Sequence, residues 1–228
     1  MRMLRLLVVI FISISINTAF SAKSPIQFDT SRRVIISIRD QKLMLVNNGQ
    51  RVAVYPVSTS KYGVGDLRGR MTTPLGCLRV AKKIGDNAAV GAVFHHRRWT
   101  GEILRQNTPG RDPVITRIIW LSGVEAQNAH AFERCIYIHG TPEEKTIGHP
   151  ASYGCIRMKS KDVAVLYDQV PVGALVQIIP ERLPKVPKAT AMPTSTVIVQ
   201  NQRRAFHRPY ALMQCLMART ILLKSGLL

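Results

Sequence analysis

The hydrophobic and polar positions from residue 33 onward follow the pattern of β-strands. Two apolar runs, at 34–39 and 42–46, precede the segment Asn47-Asn48-Gly49-Gln50, and a third run follows at 51–57. Asn and Gly accept the positive φ angles of a type I′ turn, so this arrangement predicts a β-hairpin. Later apolar runs predict further strands at 77–80, 114–121, 136–139 and 174–179.

One amphipathic helix is predicted before the last of these strands. The i, i+3, i+4, i+7 spacing of a helix with one apolar face is occupied by Val163, Leu166, Tyr167 and Val170. Ser160 is the candidate N-cap, and Pro171 ends the helix. The whole pattern predicts a mainly β domain over residues 33–179, a β-sandwich or mixed sheet with one or two short helices.

Two stretches between the strands leave alternatives open. Residues 61–76 are rich in glycine and arginine, and they either border a substrate groove or form an exposed loop without function. His95 and His96 are adjacent in a strand-like run, so one side chain is expected to point inward and the other outward. Residues 99–102 lead into a polar loop that continues to Pro113.

Charge and the first residues bear on where the protein works. The 228-residue chain carries 32 Lys and Arg against 13 Asp and Glu, a formal net charge of +19, which suits an anionic polymer, a membrane surface or nucleic acid. Basic residues, an apolar stretch at 6–16 and small residues after it form the layout of a secretory signal over residues 1–21, with cleavage after Ser21. An uncleaved anchor is the alternative, but the stretch is shorter than the ~20 residues of a full span. We therefore predict export to the periplasm or cell envelope and no nucleic-acid partner.

The composition changes after residue 179. Prolines with interspersed lysines predict an extended linker, and a short apolar helix follows Pro209, so residues 180–228 form a linker and tail. That helix docks on the domain, touches a membrane surface or stays poorly ordered, and the pattern does not decide among the three.

The candidate chemistry lies between residues 135 and 158. An apolar alternation ends on His139, and 16 residues later Cys155 follows Gly154. A thiol needs a nearby base to act as a nucleophile at neutral pH, and histidine is the usual one. The intervening loop is long enough to fold back, so the pattern predicts Cys155 as nucleophile and His139 as its base. A structural cysteine and a histidine bonded only to backbone are the alternatives.

The remaining cysteines and histidines are given structural roles. Cys77 and Cys135 lie in apolar runs where a buried thiol is the simpler explanation, so the absence of a disulfide is favoured. A zinc site built from His139, His149 and Cys155 would lack the paired spacing of structural zinc ligands. We therefore expect no metal and no cofactor.

The same stretch resembles the active-site signature of the L,D-transpeptidase family, the YkuD-type catalytic domain. The elements that match are His139-Gly140-Thr141 and Ser152-Tyr153-Gly154-Cys155-Ile156-Arg157-Met158. One residue departs from the pattern, because Tyr153 stands where the family has a histidine. That change leaves the nucleophile and base intact and removes a polar ring expected beside the thiolate. The segments 57–60 and 72–76 also resemble the family.

The resemblance implies a role for several neighbours of Cys155. Arg157 anchors a substrate carboxylate or forms a structural ion pair. Backbone N–H groups around Tyr153 form an oxyanion hole, and Gly154 lets the backbone approach the substrate. His149 is the one local residue able to replace the missing histidine, and His130 is expected at the surface. The candidate substrate-binding and oxyanion residues are Gly140, Ser152, Tyr153, Gly154 and Arg157.

The resemblance also implies a reaction. Cys155 would attack the carbonyl of a diamino-acid residue in a peptidoglycan stem peptide, expel D-alanine and hold a thioester that an amine resolves. A basic surface suits a polymer rich in carboxylates. Two alternatives remain: a hydrolytic variant, which would be an L,D-carboxypeptidase or cross-link hydrolase, and a degenerate domain that binds peptidoglycan without turning it over.

Overall fold

The computed structural model describes residues 29–189, so the expected signal segment, most of the linker and the C-terminal helix lie outside the described residues. The described strands are β1 (Asp29–Ser37), β2 (Lys42–Asn47), β3 (Gln50–Pro56), β4 (Gly76–Ile84), β5 (Ala92–His95), β6 (Arg98–Ile103), β7 (Val114–Gly123), β8 (Tyr137–Gly140), β9 (Ile156–Met158) and β10 (Ala174–Ile179). The described α-helix is α1 (Ser160–Gln169). No helix in this part of the chain is long and apolar enough to cross a membrane.

The strands form one mixed sheet that branches at β7. Its main path runs β3-β2-β1-β10-β4-β7-β5-β6, while β8 pairs with β7 and carries β9 on its other side. Among the described strand pairs, β1 with β10 and β8 with β9 are parallel, and the others are antiparallel. The predicted mainly β fold is confirmed, with one α-helix against the sheet.

The predicted N-terminal hairpin is present. Asn48 and Gly49 join β2 to β3 with φ angles of +47° and +77°, the left-handed values that a tight hairpin turn requires. The strands predicted at 77–80 and 114–121 correspond to β4 and β7, which extend a few residues beyond the predicted bounds, and the strand predicted at 174–179 corresponds to β10 with the same bounds.

The hairpin of β5 and β6 differs from the sequence prediction. His95 ends β5, and His96 and Arg97 form the turn, with φ angles of +47° and +67°. Both histidines are exposed, so the prediction of one inward and one outward ring is wrong, because the chain reverses at this point. β6 is an edge strand and is almost entirely exposed, so its residues carry no alternation from which a strand could be predicted.

The main core lies between α1 and one face of the sheet. The helix residues predicted to form the apolar stripe are all buried there, against Ile119 of β7, Ile138 of β8 and Ile156 of β9. Ser160 is the first helical residue and Lys159 holds the N-cap position, so the prediction of Ser160 as N-cap is wrong. The physical reason is that the Glu144 carboxylate reaches the helix end and accepts the Ser160 N–H at 2.8 Å.

Two substitutions in α1 test the assignment of its buried face. Leu166→Ala should lower the free energy of unfolding by about 2–5 kcal/mol, because it removes a fully buried side chain and leaves a cavity. The adjacent Val165 is 47% exposed, so Val165→Ala should change it by no more than about 0.5 kcal/mol. Denaturant unfolding of the two variants checks this; equal losses would contradict the assignment.

Candidate active site

The parallel pairing of β8 with β9 places the candidate catalytic side chains on one face of the sheet. Ile138 pairs with Ile156 and His139 with Arg157. Ile138 and Ile156 are buried in the core under α1. Because neighbouring residues in a strand point to opposite faces, His139 and Arg157 lie on the other side of the sheet. Cys155, two residues before Arg157, belongs to that side as well.

Cys155 is a free, half-buried thiol with two backbone contacts. The Tyr137 N–H donates to Sγ at 3.4 Å, and Sγ donates to the carbonyl oxygen of Cys135 at 3.3 Å. The side chain packs against a second apolar cluster that includes Trp120 and Tyr137. Burial raises the pKa of the Cys155 thiol to about 11, although the Tyr137 N–H and the charge of Arg157 act in the opposite direction. The thiol is therefore protonated at neutral pH.

His139 is buried, and its tautomer follows from one contact. Nδ1 lies 2.8 Å from the carbonyl oxygen of Gly140, which can only accept, so Nδ1 carries the proton of the neutral ring. Burial lowers the pKa of His139 to about 4, against the opposing effect of the Gly140 hydrogen bond. The ring is therefore neutral at pH 7, and its Nε2 is an unprotonated acceptor.

A bonded turn shapes the backbone on the N-terminal side of Cys155. The Ser152 hydroxyl donates to the Cys155 carbonyl oxygen at 2.6 Å and accepts the Gly154 N–H at 3.2 Å. Gly154 has a φ of +122°, a conformation that disfavours any side chain. Among the described hydrogen bonds, none uses the N–H of Tyr153 or Cys155. These two N–H groups of the turn are therefore candidate donors to an oxyanion.

Gly140 serves packing between strands. A Cβ at this position would lie 2.7 Å from the carbonyl oxygen of Ile115 in β7, closer than real Cβ atoms come. Glycine therefore lets β8 approach β7 at the point where His139 enters the site. This is a structural reason for the glycine, distinct from substrate binding.

Arg157 is engaged by acidic residues. Its side chain is only 5% exposed, forms an ion pair with Asp112 and lies 3.8 Å from a carboxylate oxygen of Glu143. The Thr141 hydroxyl also donates to Asp112, at 2.7 Å. Of the two roles foreseen for Arg157, these contacts favour the structural ion pair. The sequence offered no signal for Asp112, which lies in a polar loop far from the motif.

The Tyr153 side chain points to the surface. It is 54% exposed, and its ring centroid is 5.9 Å from that of Tyr62. The Lys61 Nζ lies 3.4 Å from the Tyr153 hydroxyl and 4.6 Å from the ring centroid. No described contact joins this ring to the thiol, and burial is the main cause of the raised Cys155 pKa. These contacts place the Tyr153 ring at the surface, on the solvent side of the candidate active site.

The two remaining candidate histidines do not contact Cys155 within the described residues. The His149 ring is exposed, and its carbonyl oxygen accepts the Ser58 hydroxyl at 2.5 Å. His130 is partly exposed, with Nδ1 3.6 Å from a carboxylate oxygen of Asp66. The expected surface position of His130 agrees with this contact.

The glycine-rich loop (residues 61–76) is held against the site by a residue that the sequence did not point to. The buried Arg134 side chain pairs with Asp66 and donates to the carbonyl oxygens of Gly65, Arg70 and Thr72. Thr73 then donates to the Gly154 carbonyl oxygen at 3.0 Å. The ion pair and hydrogen bonds from Arg134, together with the bond from Thr73, therefore hold this loop beside the turn that precedes Cys155.

The other cysteines differ from each other. Cys77 is disulfide-bonded, so the expectation of no disulfide is wrong, whereas Cys135 is free. Arg97 approaches Cys135, with Nη1 3.6 Å from its Sγ and 3.4 Å from the Tyr137 hydroxyl. Sequence reasoning missed Arg97, because only the turn between β5 and β6 brings it to this side of the sheet.

Comparison with known proteins agrees with the fold and the motif. The YkuD family model, described as the L,D-transpeptidase catalytic domain, matches residues 31–178. The probable L,D-transpeptidase YbiS of Escherichia coli strain K12 is 37% identical over 67 residues, which cover 29% of this chain and 21% of that protein. The putative L,D-transpeptidase YqjB of Bacillus subtilis is 30% identical over 145 residues, which cover 64% of this chain and 69% of that protein.

One solved structure is also among the matches. The L,D-transpeptidase from Xylanimonas cellulosilytica is 19% identical and superposes with a TM-score of 0.44, over 65% of this chain and 60% of that one. The family match is broader, since it extends from β1 to the end of β10 and includes His139 and Cys155. The chain therefore belongs to the YkuD family of L,D-transpeptidase catalytic domains.

Proposed function

We propose that this protein is an exported cysteine L,D-transpeptidase that acts on peptidoglycan stem peptides through a thioester on Cys155. The observation that carries the proposal is the pairing of β8 with β9, which sets a free thiol and a neutral imidazole on one face of the sheet. The family acts on peptidoglycan, and the signal pattern in residues 1–21 supports export to the compartment where that polymer lies.

Acylation begins from a neutral pair. The Cys155 thiol holds its proton, and His139 offers Nε2 as an acceptor because Nδ1 donates to Gly140. As Sγ attacks the carbonyl carbon of the diamino-acid residue, His139 takes the thiol proton as general base. The N–H groups of Tyr153 and Cys155 stabilise the oxyanion of the tetrahedral intermediate. His139 then returns the proton to the amine of D-alanine, which leaves, and a thioester remains.

In the second half of the reaction, an amine attacks the thioester and the proton transfers run in the reverse order. An amine of a second stem peptide, or of an anchored protein, attacks the thioester carbonyl while His139 removes its proton. The thiolate of Cys155 leaves and recovers the proton from His139. Water in place of the amine would give the hydrolytic variant. The +19 charge favours association with a polymer that carries many carboxylates, in either case.

Mutation of the two thiols that are free among the described residues tests the nucleophile. Cys155→Ala should lower product formation by at least about 10³-fold and abolish the acyl adduct, because no thioester can form. Cys135→Ser removes the other free thiol and should still give the adduct. Intact-protein mass and muropeptide mass spectrometry provide the measurement. Cross-linked dimers support transfer, trimmed monomers indicate hydrolysis, and unchanged muropeptides indicate a binding domain; turnover by Cys155→Ala would exclude the thioester mechanism.

The pH dependence of alkylation tests the neutral resting pair. Since burial raises the pKa of Cys155 to about 11, its reaction with iodoacetamide should keep accelerating as pH rises past the ~8.5 of an ordinary thiol. Rates are measured by peptide mapping of Cys155, with glutathione as the reference thiol. A plateau that begins near neutral pH would show a stable thiolate and contradict the neutral pair.

A double-mutant cycle tests the role given to Arg157. Arg157→Gln should lower the free energy of unfolding by about 1–3 kcal/mol, because it leaves the mostly buried Asp112 carboxylate without its ion pair. Asp112→Asn in the same chain should restore part of that loss, which makes the two changes non-additive. Urea unfolding of the single and double variants checks this. Additive effects on stability, together with a raised KM for Arg157→Gln alone, would favour a substrate anchor instead.

A further inference from the structure

A half-buried guanidinium, that of Arg97, contacts two residues that themselves contact the candidate nucleophile, and it has no acidic partner among the described residues. Arg97 belongs to the turn between β5 and β6, and its side chain extends back over the sheet, with the guanidinium carbon 4.9 Å from the ring centroid of Trp120. Nη1 lies 3.4 Å from the Tyr137 hydroxyl and 3.6 Å from the Cys135 Sγ. The ring, the phenol and the thiol together hold the guanidinium in place.

Two of the residues that contact Arg97, Cys135 and Tyr137, also contact the Cys155 thiol. The carbonyl oxygen of Cys135 accepts from Sγ of Cys155, and the N–H of Tyr137 donates to it. The side chains of Cys135 and Tyr137 meanwhile face Arg97. One short stretch of chain therefore connects the nucleophile to the guanidinium.

The charge of Arg97 is not neutralised within the described residues. Two arginines near the site with buried side chains each have a carboxylate partner, Asp112 for Arg157 and Asp66 for Arg134. No described carboxylate forms an ion pair with Arg97. Burial raises the pKa of the Tyr137 phenol, so that partner is uncharged at neutral pH. Most of the five N–H donors of the guanidinium are therefore available to a ligand.

We propose that Arg97 binds a carboxylate of the peptide substrate and thereby positions its reacting carbonyl at Cys155. A guanidinium offers two parallel N–H donors, the geometry that a carboxylate accepts. The identity of the peptide rests on the proposed function, whereas the carboxylate site rests on the contacts of Arg97 alone. The carboxylate belongs to the acyl donor or to the amine acceptor, and experiment separates these sources.

Alkylation of Cys155 by two small reagents tests the site without any turnover. Iodoacetate and iodoacetamide react alike, since the thiolate displaces iodide and forms an S–C bond, but iodoacetate carries a carboxylate. Arg97→Gln should lower the iodoacetate-to-iodoacetamide rate ratio at Cys155 by about tenfold. Arg97→Lys keeps the charge without the two-donor geometry and should retain part of the ratio. Peptide mapping separates Cys155 from Cys135.

Arg98→Gln is the matched control. Arg98 is the next residue of the same hairpin, it is exposed, and its removal changes the net charge by the same amount. This variant should keep the wild-type rate ratio. An unchanged ratio in Arg97→Gln, or an equal fall in both glutamine variants, would overturn the proposal, because the effect would then come from overall charge.

Synthetic stem tetrapeptides identify the source of the carboxylate. Thioester formation is followed by intact mass without an acceptor, using donors that differ only in whether a carboxylate is free or amidated. If amidation of the donor slows the reaction of the wild type but not that of Arg97→Gln, the carboxylate belongs to the donor. If only amidation of the acceptor slows the reaction, the carboxylate belongs to the acceptor. If amidation of neither peptide matters in the wild type, the proposal fails. If no thioester forms at all while the reagent ratio still depends on Arg97, the proposed function fails and the carboxylate site stands.

Discussion

The parallel pairing of β8 with β9 is the constraint on which the site depends. The two strands are joined by a loop of 15 residues, 141–155, and their register sets His139 opposite Arg157 and Tyr137 beside Cys155. A slip of one residue would move every side chain of β9 to the other face of the sheet. Cys155 would then no longer lie on the same face of the sheet as His139, and Ile156 would leave the core under α1. The same hydrophobic pattern that builds the core therefore fixes the chemistry.

Burial on this face sets the protonation of the site. Desolvation disfavours the charged form of each group, which raises the pKa of Cys155 and lowers that of His139. The two groups rest as a neutral thiol and a neutral imidazole, and in the proposed mechanism charge appears only as the reaction proceeds. Buried charges nearby occur as pairs, such as Arg157 with Asp112. The half-buried Arg97 has no such carboxylate among the described residues, which is why its charge points to an external ligand.

Local pattern predicted much of the fold. Turn chemistry gave the hairpin at Asn48-Gly49 and helical spacing gave α1, whereas the catalytic roles that the motif suggests for His139 and Cys155 stay a prediction. What was missed depends on contacts between distant residues, as in the pairing of Asp66 with Arg134 across 68 positions. Two further contacts also join residues that are distant in sequence: Glu144 accepts the N–H at the start of α1, and Arg97 reaches Tyr137 from an exposed hairpin. No spacing rule encodes such contacts, because they exist only after the sheet has formed.

The protonation state of His139 tests most directly the claim that the site rests as a neutral thiol and a neutral imidazole. Nuclear magnetic resonance of protein labelled with ¹⁵N in histidine reports which ring nitrogen carries a proton. The structure predicts one neutral tautomer at neutral pH, with the proton on Nδ1 and Nε2 free, because Nδ1 donates to the Gly140 carbonyl and burial lowers the pKa of His139 to about 4. A ring protonated on both nitrogens at neutral pH, or a proton on Nε2 alone, would contradict the neutral pair and the role of His139 as the base.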